Sequence, residues 1–215
     1  MGVADVRAVP KQGGLEVIRR LWDLAAASGL LLLTLPILIP AAVLVLVSDG
    51  RPVFFGHRRI GRDGKAFRCW KLRTMAVDAE DRLRGNVELD QLHRESGFKL
   101  PVEHDPRITP VGRWLRRRYI DEIPQLVNVL RGEMSIVGPR PEQVELVERY
   151  RPEHRFRLDV KPGITGPMQV HGRGDLSFSE RLAVELDYIE NLSLGRDVLI
   201  ILHTIPVIVR GVGAY

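Results

Sequence analysis

Cysteine is nearly absent: Cys69 is the single thiol in 215 residues, which excludes an intrachain disulfide and fits a reducing compartment. A lone cysteine of this kind reads first as an inert small residue. His57, His93, His104, His154, His171 and His203 show no metal-site spacing with one another or with Cys69. No Walker A loop, Rossmann glycine fingerprint or Ser/His/Asp ordering occurs, which sets aside P-loop, dinucleotide and triad chemistry. Internal repeats and low-complexity segments are also missing. Negative charge is in deficit. The formal net charge is +5 and the pI about 9.7, which points to an anionic partner: nucleic acid, anionic lipid or a phosphorylated substrate. No recognised nucleic-acid module accompanies the arginines, so nucleic acid is not the expected partner.

What is present begins with a long apolar run. Leu24 to Val47 carries no charge over 24 residues, against the roughly 20 that a helix needs to span hydrocarbon. It is too long for a cleaved leader, and no small-x-small site follows it. Pro36 and Pro40 lie inside it, and each removes a backbone donor and clashes one turn back. Both flanks are basic: Arg19 and Arg20 before; Arg51, Arg58, Arg59, Arg62, Lys65, Arg68, Lys71 and Arg73 after. Basic flanks prefer the same side of a membrane. Two paths satisfy these features. One is a helix that enters, breaks near Pro36 and returns, with Thr34 or Ser28 serving the freed backbone groups; the other is a tilted, proline-kinked span.

After Val47 the chain changes character. Val53–Phe55 and Ala66–Arg73 read as strands around a turn at Gly61–Gly64. Residues 78–100 read as a solvated helix and loop. Ile120–Leu130 reads as a helix stopped by Gly132, and Glu142–Tyr150 and Phe178–Asn191 as further helices. Val198–Val209 is an apolar helix expected to break at Pro206 and to lie at the membrane interface or on the body. The pattern is α+β: mostly helical, with short strands and no regular βαβ alternation.

The stretch Arg116-Arg117-Arg118-Tyr119-Ile120-Asp121-Glu122 runs three arginines into two adjacent carboxylates. Structurally, Asp121 would be a helix N-cap, Glu122 would favour the positive end of the helix dipole, and the arginines would be a solvated or lipid-facing patch. Chemically, guanidinium forks gather phosphates, and arginines with a helix dipole keep Asp121 ionised, as a nucleophile must be. A carboxylate attacking a phosphate meets like-charge repulsion, so Mg²⁺ is expected. Gly138-Pro139-Arg140-Pro141 places a rigidly held arginine. Lys161-Pro162-Gly163-Ile164-Thr165-Gly166 offers a lysine, a pliant backbone and a hydroxyl. Each of these two loops has a phosphate-binding and a plain-turn reading. Gln169, Arg173 and Tyr188 are candidates for holding a base or sugar.

Several motifs follow one another along the chain: Lys71-Leu72-Arg73-Thr74-Met75, Asp105-Pro106-Arg107-Ile108-Thr109, Asp121-Glu122-Ile123-Pro124-Gln125-Leu126, Asn128 to Ser135, Val137 to Pro141, Lys161 to Gly166 and Gln169-Val170. Their order and spacing resemble the bacterial sugar transferases, the monotopic phosphoglycosyl transferases that start glycan assembly on polyprenyl phosphate. The resemblance runs from about Arg19 to Tyr215. It implies a re-entrant membrane helix broken at Pro36, with both ends on the cytoplasmic face of the bacterial inner membrane. It also implies an N-terminal arm over 1–18, the membrane helix over 19–48 and a cytoplasmic catalytic body with interfacial helices over 49–215. The family's dyad falls on Asp121 and Glu122. Its aspartate attacks the β-phosphate of a UDP-sugar, releases UMP and passes the sugar phosphate to polyprenyl phosphate, with Mg²⁺ support at Asp121; the glutamate assists. Residues and resemblance together assign substrate contacts to Lys71, Arg73, Thr74, Arg116, Arg117, Arg140, Lys161, Thr165, Gln169 and Arg173; a homo-oligomer is compatible with all of this. Departures from the family pattern are Leu35 where serine usually precedes the proline, Tyr119 for serine, Leu72 for phenylalanine and His57 for glutamine. Competing readings are an idle membrane scaffold, which a missing dyad would have favoured, and a membrane-anchored nucleic-acid binder.

Overall fold

The computed structural model describes residues 13–95, 100, 102, 105–171 and 177–210. The chain opens with one long helix, α1 (Gly13–Asp49), followed by an antiparallel hairpin of β1 (Phe54–Ile60) and β2 (Ala66–Leu72). Short helices follow: α2 (Ala79–Arg84), α3 (Val87–Glu95), α4 (Pro110–Arg117) and α5 (Gln125–Arg131). Then come β3 (Ser135–Val137), α6 (Val144–Val147), β4 (Gly163–Thr165), α7 (Pro167–His171), α8 (Phe178–Glu190) and α9 (Leu194–Arg210). The architecture is mostly helical with a few short strands.

One stripe of α1, carrying Asp23, Ala27, Leu38, Ala41 and Val45, is buried against the body. Steps of four, eleven, three and four residues, each close to whole helical turns, keep these positions on one face. Leu32, Leu33, Ile37, Ile39, Val43 and Val47 are exposed. Both ends of the helix are tied to the same body. Near its start, Arg20 donates to the Val129 and Leu130 carbonyls at 2.6 and 2.7 Å, satisfying the open C-terminal end of α5. Asp23 accepts from Ser135 Oγ and the Ile136 N–H, both at 2.9 Å. Glu16 meets Arg62, beyond the far end of the helix, at 2.9 Å. At that far end Arg73 donates to the carbonyls of Asp49, Gly50 and Arg51 at 2.5, 2.9 and 2.8 Å.

Helical structure runs through Pro36 and Pro40 without a gap, so the break expected at Pro36 is not an interruption of secondary structure. Two prolines one turn apart remove only two donors, and the flanking turns remain closed. Thr34, expected to serve a carbonyl freed by proline, donates instead to the Leu30 carbonyl at 2.7 Å. Likewise α9 continues through Pro206.

Two further expectations change. Ile120–Leu130 is not one helix but a 3₁₀ turn, Ile120–Glu122, followed by α5. Tyr119 takes a left-handed conformation (φ 57°), and Pro124 has no N–H to bond back to Ile120, so the turn closes one residue tighter, Ile123 N–H to Ile120 O. The helix expected over 142–150 shrinks to α6. Gly132 ends α5 at φ 80°, as expected of a left-handed cap.

The two loops marked by proline and glycine are partners: β3 and β4 pair in parallel, Ser135 opposite Gly163 and Val137 opposite Thr165. A Cβ on Gly166 would stand 2.0 Å from the Gly138 carbonyl oxygen, so glycine is required at that approach. The main core gathers around Val129, Met134, Val137, Phe156, Tyr188, Ile189 and Ile200, with Ala27 of α1 built into it.

Candidate active site

The 3₁₀ turn carries Asp121 and Glu122 side by side, Asp121 being 4% exposed. Asp121 makes no N-cap, because α5 begins at Gln125 behind Pro124, with no side-chain cap bond. Across from the turn stands β2. Lys71 Nζ donates to Glu122 Oε1 at 2.5 Å and lies 3.9 Å from Asp121 Oδ2. Arg140, between two prolines after β3, brings Nη2 to 3.6 Å from Glu122 Oε1. Arg116 closes a third side from the last turn of α4. Its Nε donates to Thr74 Oγ1 at 2.9 Å, and its charge acts on both carboxylates. Gly112 permits this packing: a Cβ there would sit 2.0 Å from the Thr74 carbonyl oxygen.

Burial and charge divide the dyad. Burial works against ionisation of Glu122, but Lys71, Arg140 and Arg116 outweigh it and hold its pKa at about 2. For Asp121 burial dominates, the neighbouring Glu122 charge adds to it, and the pKa is raised despite Lys71 and Arg116. This reverses the sequence expectation, in which arginines and a helix dipole kept Asp121 ionised. The turn puts Asp121 deeper than Glu122, and Glu122 takes the direct lysine contact.

Of the residues proposed from sequence, Asp121, Glu122, Lys71, Thr74, Arg116 and Arg140 are brought together. Others have different work. Arg73 is buried at the end of α1, as described above. Thr165 Oγ1 meets Thr204 Oγ1 of α9 at 2.6 Å. Tyr188, a candidate for base or sugar, is buried and bonds Arg19 and Asp197 at 2.8 and 2.7 Å. Lys161 feels the charges of Arg20, Asp23 and Glu16 from the start of α1 and of Arg62 from the hairpin turn. Gln169 reaches the Ile164 carbonyl at 3.5 Å in the β4–α7 region. Arg117 is exposed on α4, and Arg173 lies outside the described residues.

Arg59 and the pair Asp105–Arg107, seen in the sequence as a basic flank and a motif, were not assigned to the site. Arg59 points to the same face of the hairpin as Lys71, because Phe55 pairs with Lys71 and positions two apart share a face. Its Nη1 reaches the Pro141 carbonyl at 3.5 Å, beside Arg140. The alternation of β1 held this signal. Asp105 and Arg107 form a buried two-point pair at 2.9 and 2.8 Å behind Arg116.

Among the described residues no group of three or more His, Cys, Asp or Glu side chains is placed to hold a metal. The site offers two adjacent carboxylates, one of them already engaged by cations. That donor set suits Mg²⁺ held by one or two carboxylates with the remaining positions on phosphate and water.

Comparison with known proteins adds an independent line. The sequence model of the bacterial sugar transferases matches residues 15–211. The exopolysaccharide production protein ExoY of Rhizobium meliloti is 41% identical over 98% of this chain and 93% of its own length. A UDP-galactose-lipid carrier transferase of Erwinia amylovora is 40% identical over 92% of this chain but 42% of its own length. An undecaprenyl-phosphate galactose phosphotransferase of Salmonella typhimurium is 39% identical, with the same two shares, 92% and 42%. The chain thus spans nearly all of the first relative and under half of the other two.

Proposed function

The chain belongs to the bacterial sugar transferase family and is a phosphoglycosyl transferase; from that premise we propose that it moves a sugar-1-phosphate from a UDP-sugar to undecaprenyl phosphate through a phosphosugar held on Asp121. The observation that carries this reading is the buried dyad ringed by Lys71, Arg116 and Arg140. Asp121 attacks the β-phosphorus through a carboxylate oxygen in its ionised form, which Lys71 and Arg116 favour against burial and the Glu122 charge. The bond from that phosphorus to the oxygen bridging the two phosphates breaks, and the electron pair leaves with UMP. A phosphate oxygen of the lipid then attacks the same phosphorus and releases the Asp121 carboxylate. Lys71, Arg116 and Arg140 bind and orient the diphosphate and meet the charge that develops on its oxygens. Glu122, held ionised by Lys71 and Arg140, keeps those two cations in place. Asp121 would hold Mg²⁺, which would supply charge screening between carboxylate and phosphate.

We also propose that α1 enters the inner membrane and returns. The pairing of Glu16 with Arg62 and the tethering of both helix ends to one body support this path, since a spanning helix would carry one end to the opposite side. The exposed apolar face of α1 supports the membrane as its environment, and the body would then lie on the cytoplasmic face, where basic flanks are retained.

The test is UMP release by purified protein in nanodiscs with undecaprenyl phosphate, Mg²⁺ and a panel of UDP-sugars, beside Asp121→Asn. Release with one donor, lost in the variant, is expected. Equal release from the variant would remove Asp121 as nucleophile. Absence of release with every donor would remove the reaction.

A further inference from the structure

Arg140 reaches Glu122 from a loop with few means of holding itself. Pro139 and Pro141 flank it, and neither has an N–H. The Gly138 N–H and the Pro139 carbonyl are spent on β4 (2.9 and 2.8 Å). The Pro141 carbonyl accepts from Arg59 and the Glu142 carbonyl from the Ile60 N–H, both on the hairpin side; the backbone groups of Arg140 itself turn towards one buried cluster. Its carbonyl accepts from Arg157 Nη2 at 3.5 Å, and its N–H faces the Glu185 carboxylate. Arg157, 8% exposed, binds Glu185 with Nε at 2.5 Å and Nη2 at 3.0 Å, and meets Glu142 and Tyr150 with Nη1. Glu185 is fully buried on α8.

Stability alone does not call for such a cluster. Desolvating these charges is costly, and replacing a buried ionic group with apolar side chains of like volume is often neutral or stabilising. Its geometry answers a different need. A guanidinium that must meet a diphosphate has to be preset, and the bonds on either side of Arg140 leave its own peptide groups to be fixed by this cluster.

We propose that Arg157 and Glu185 are positioning residues for sugar-phosphate transfer: they fix the Arg140 backbone so that its guanidinium stands at the dyad before the donor arrives. The inference rests on the reading of the dyad as the transfer site. Arg157 and Glu185 touch no reacting atom and act through Arg140.

The experiment is a double-mutant cycle on full-length protein in nanodiscs, reading UMP release (kcat and KM across the UDP-sugar panel) and thermal unfolding. One arm is Arg157→Met with Glu185→Leu, the other Arg140→Ala. The apolar pair is expected to melt near the parent yet lose about 10²-fold in kcat, the cost of an ångström-scale misplacement. Arg140→Ala is expected to lose a similar factor, and the combination no more than either arm. Losses that multiply, or full activity in the apolar pair, overturn the proposal. Should the apolar pair fail to melt cooperatively, Arg157→Lys and Glu185→Gln enter the same cycle with the same criterion. A parent inactive with every donor sinks the transfer reading itself; an active parent with an additive cycle sinks this inference alone.

Discussion

Lys71 and Glu122 sit 2.5 Å apart, the closest cation–carboxylate contact at the dyad. Lys71→Met removes that cation from both carboxylates. UMP release is expected to fall by about 10²–10³-fold, the range seen when one preorganised charge donor is lost, with unchanged folding by circular dichroism. Asp105 offers a prediction of another kind. Burial opposes its charge, but the hydrogen bonds and charge of Arg107 outweigh burial, so its folded pKa lies below the ordinary value. The stability it contributes is therefore present above its unfolded pKa of about 3.9 and is lost as pH falls through the lower folded value. Asp105→Asn should cost roughly 3–5 kcal/mol at neutral pH, through the unpaired Arg107, and flatten the acid limb of a denaturation series. An acid limb identical to the parent's would contradict this assignment. At this scale the side chains that come together at the turn, Asp121 and Glu122 with Lys71, Arg116 and Arg140, were named from the order of the motifs; the residues alone read equally as a helix cap and a solvated patch. Other candidates meet partners within the protein. Arg73, Thr165 and Tyr188 have phosphate- or sugar-binding chemistry, but their partners are carbonyls, a threonine and an ion pair that only the folded chain brings near.

Among elements, the hairpin, α5 with its glycine stop, and α8 were readable from period and capping. The β3–β4 pair was not: three-residue strands carry too short a pattern, and their partnership spans the chain from Ser135 to Gly163. The prolines interrupt neither helix: α9 has no break at Pro206, and α1 stays helical through Pro36 and Pro40. Two substitutions test this level. Arg73→Ala leaves three carbonyls at the end of α1 without their donor, and an expected loss of about 1.5–3 kcal/mol should appear in thermal unfolding, with KM for the donor unchanged. A raised KM at parental stability would return Arg73 to the substrate. Gly166→Ala forces a Cβ against the Gly138 carbonyl, and a cost of about 1–3 kcal/mol is expected from the strain.

For the molecule as a whole, α1 contributes to the core and also turns an apolar face outward, since Ala27 and Val45 are fully buried while Leu32, Leu33 and Ile37 are exposed; the proposal places that outer face in the membrane. The path of that helix separates re-entry from spanning. In a background lacking Cys69, Glu16→Cys and Lys65→Cys should both react with a membrane-impermeant maleimide in inside-out vesicles and neither in right-side-out cells. Labelling from opposite sides would mean a span. The central claim, however, concerns chemistry at Asp121, and intact-protein mass spectrometry tests it most directly. Protein incubated with Mg²⁺ and its UDP-sugar, without lipid acceptor, should gain the mass of one sugar phosphate. That mass should map to the peptide bearing Asp121, be absent in Asp121→Asn, and disappear when undecaprenyl phosphate is added. Turnover of the same donor with no adduct at any time, or an adduct that persists in Asp121→Asn, would contradict the account.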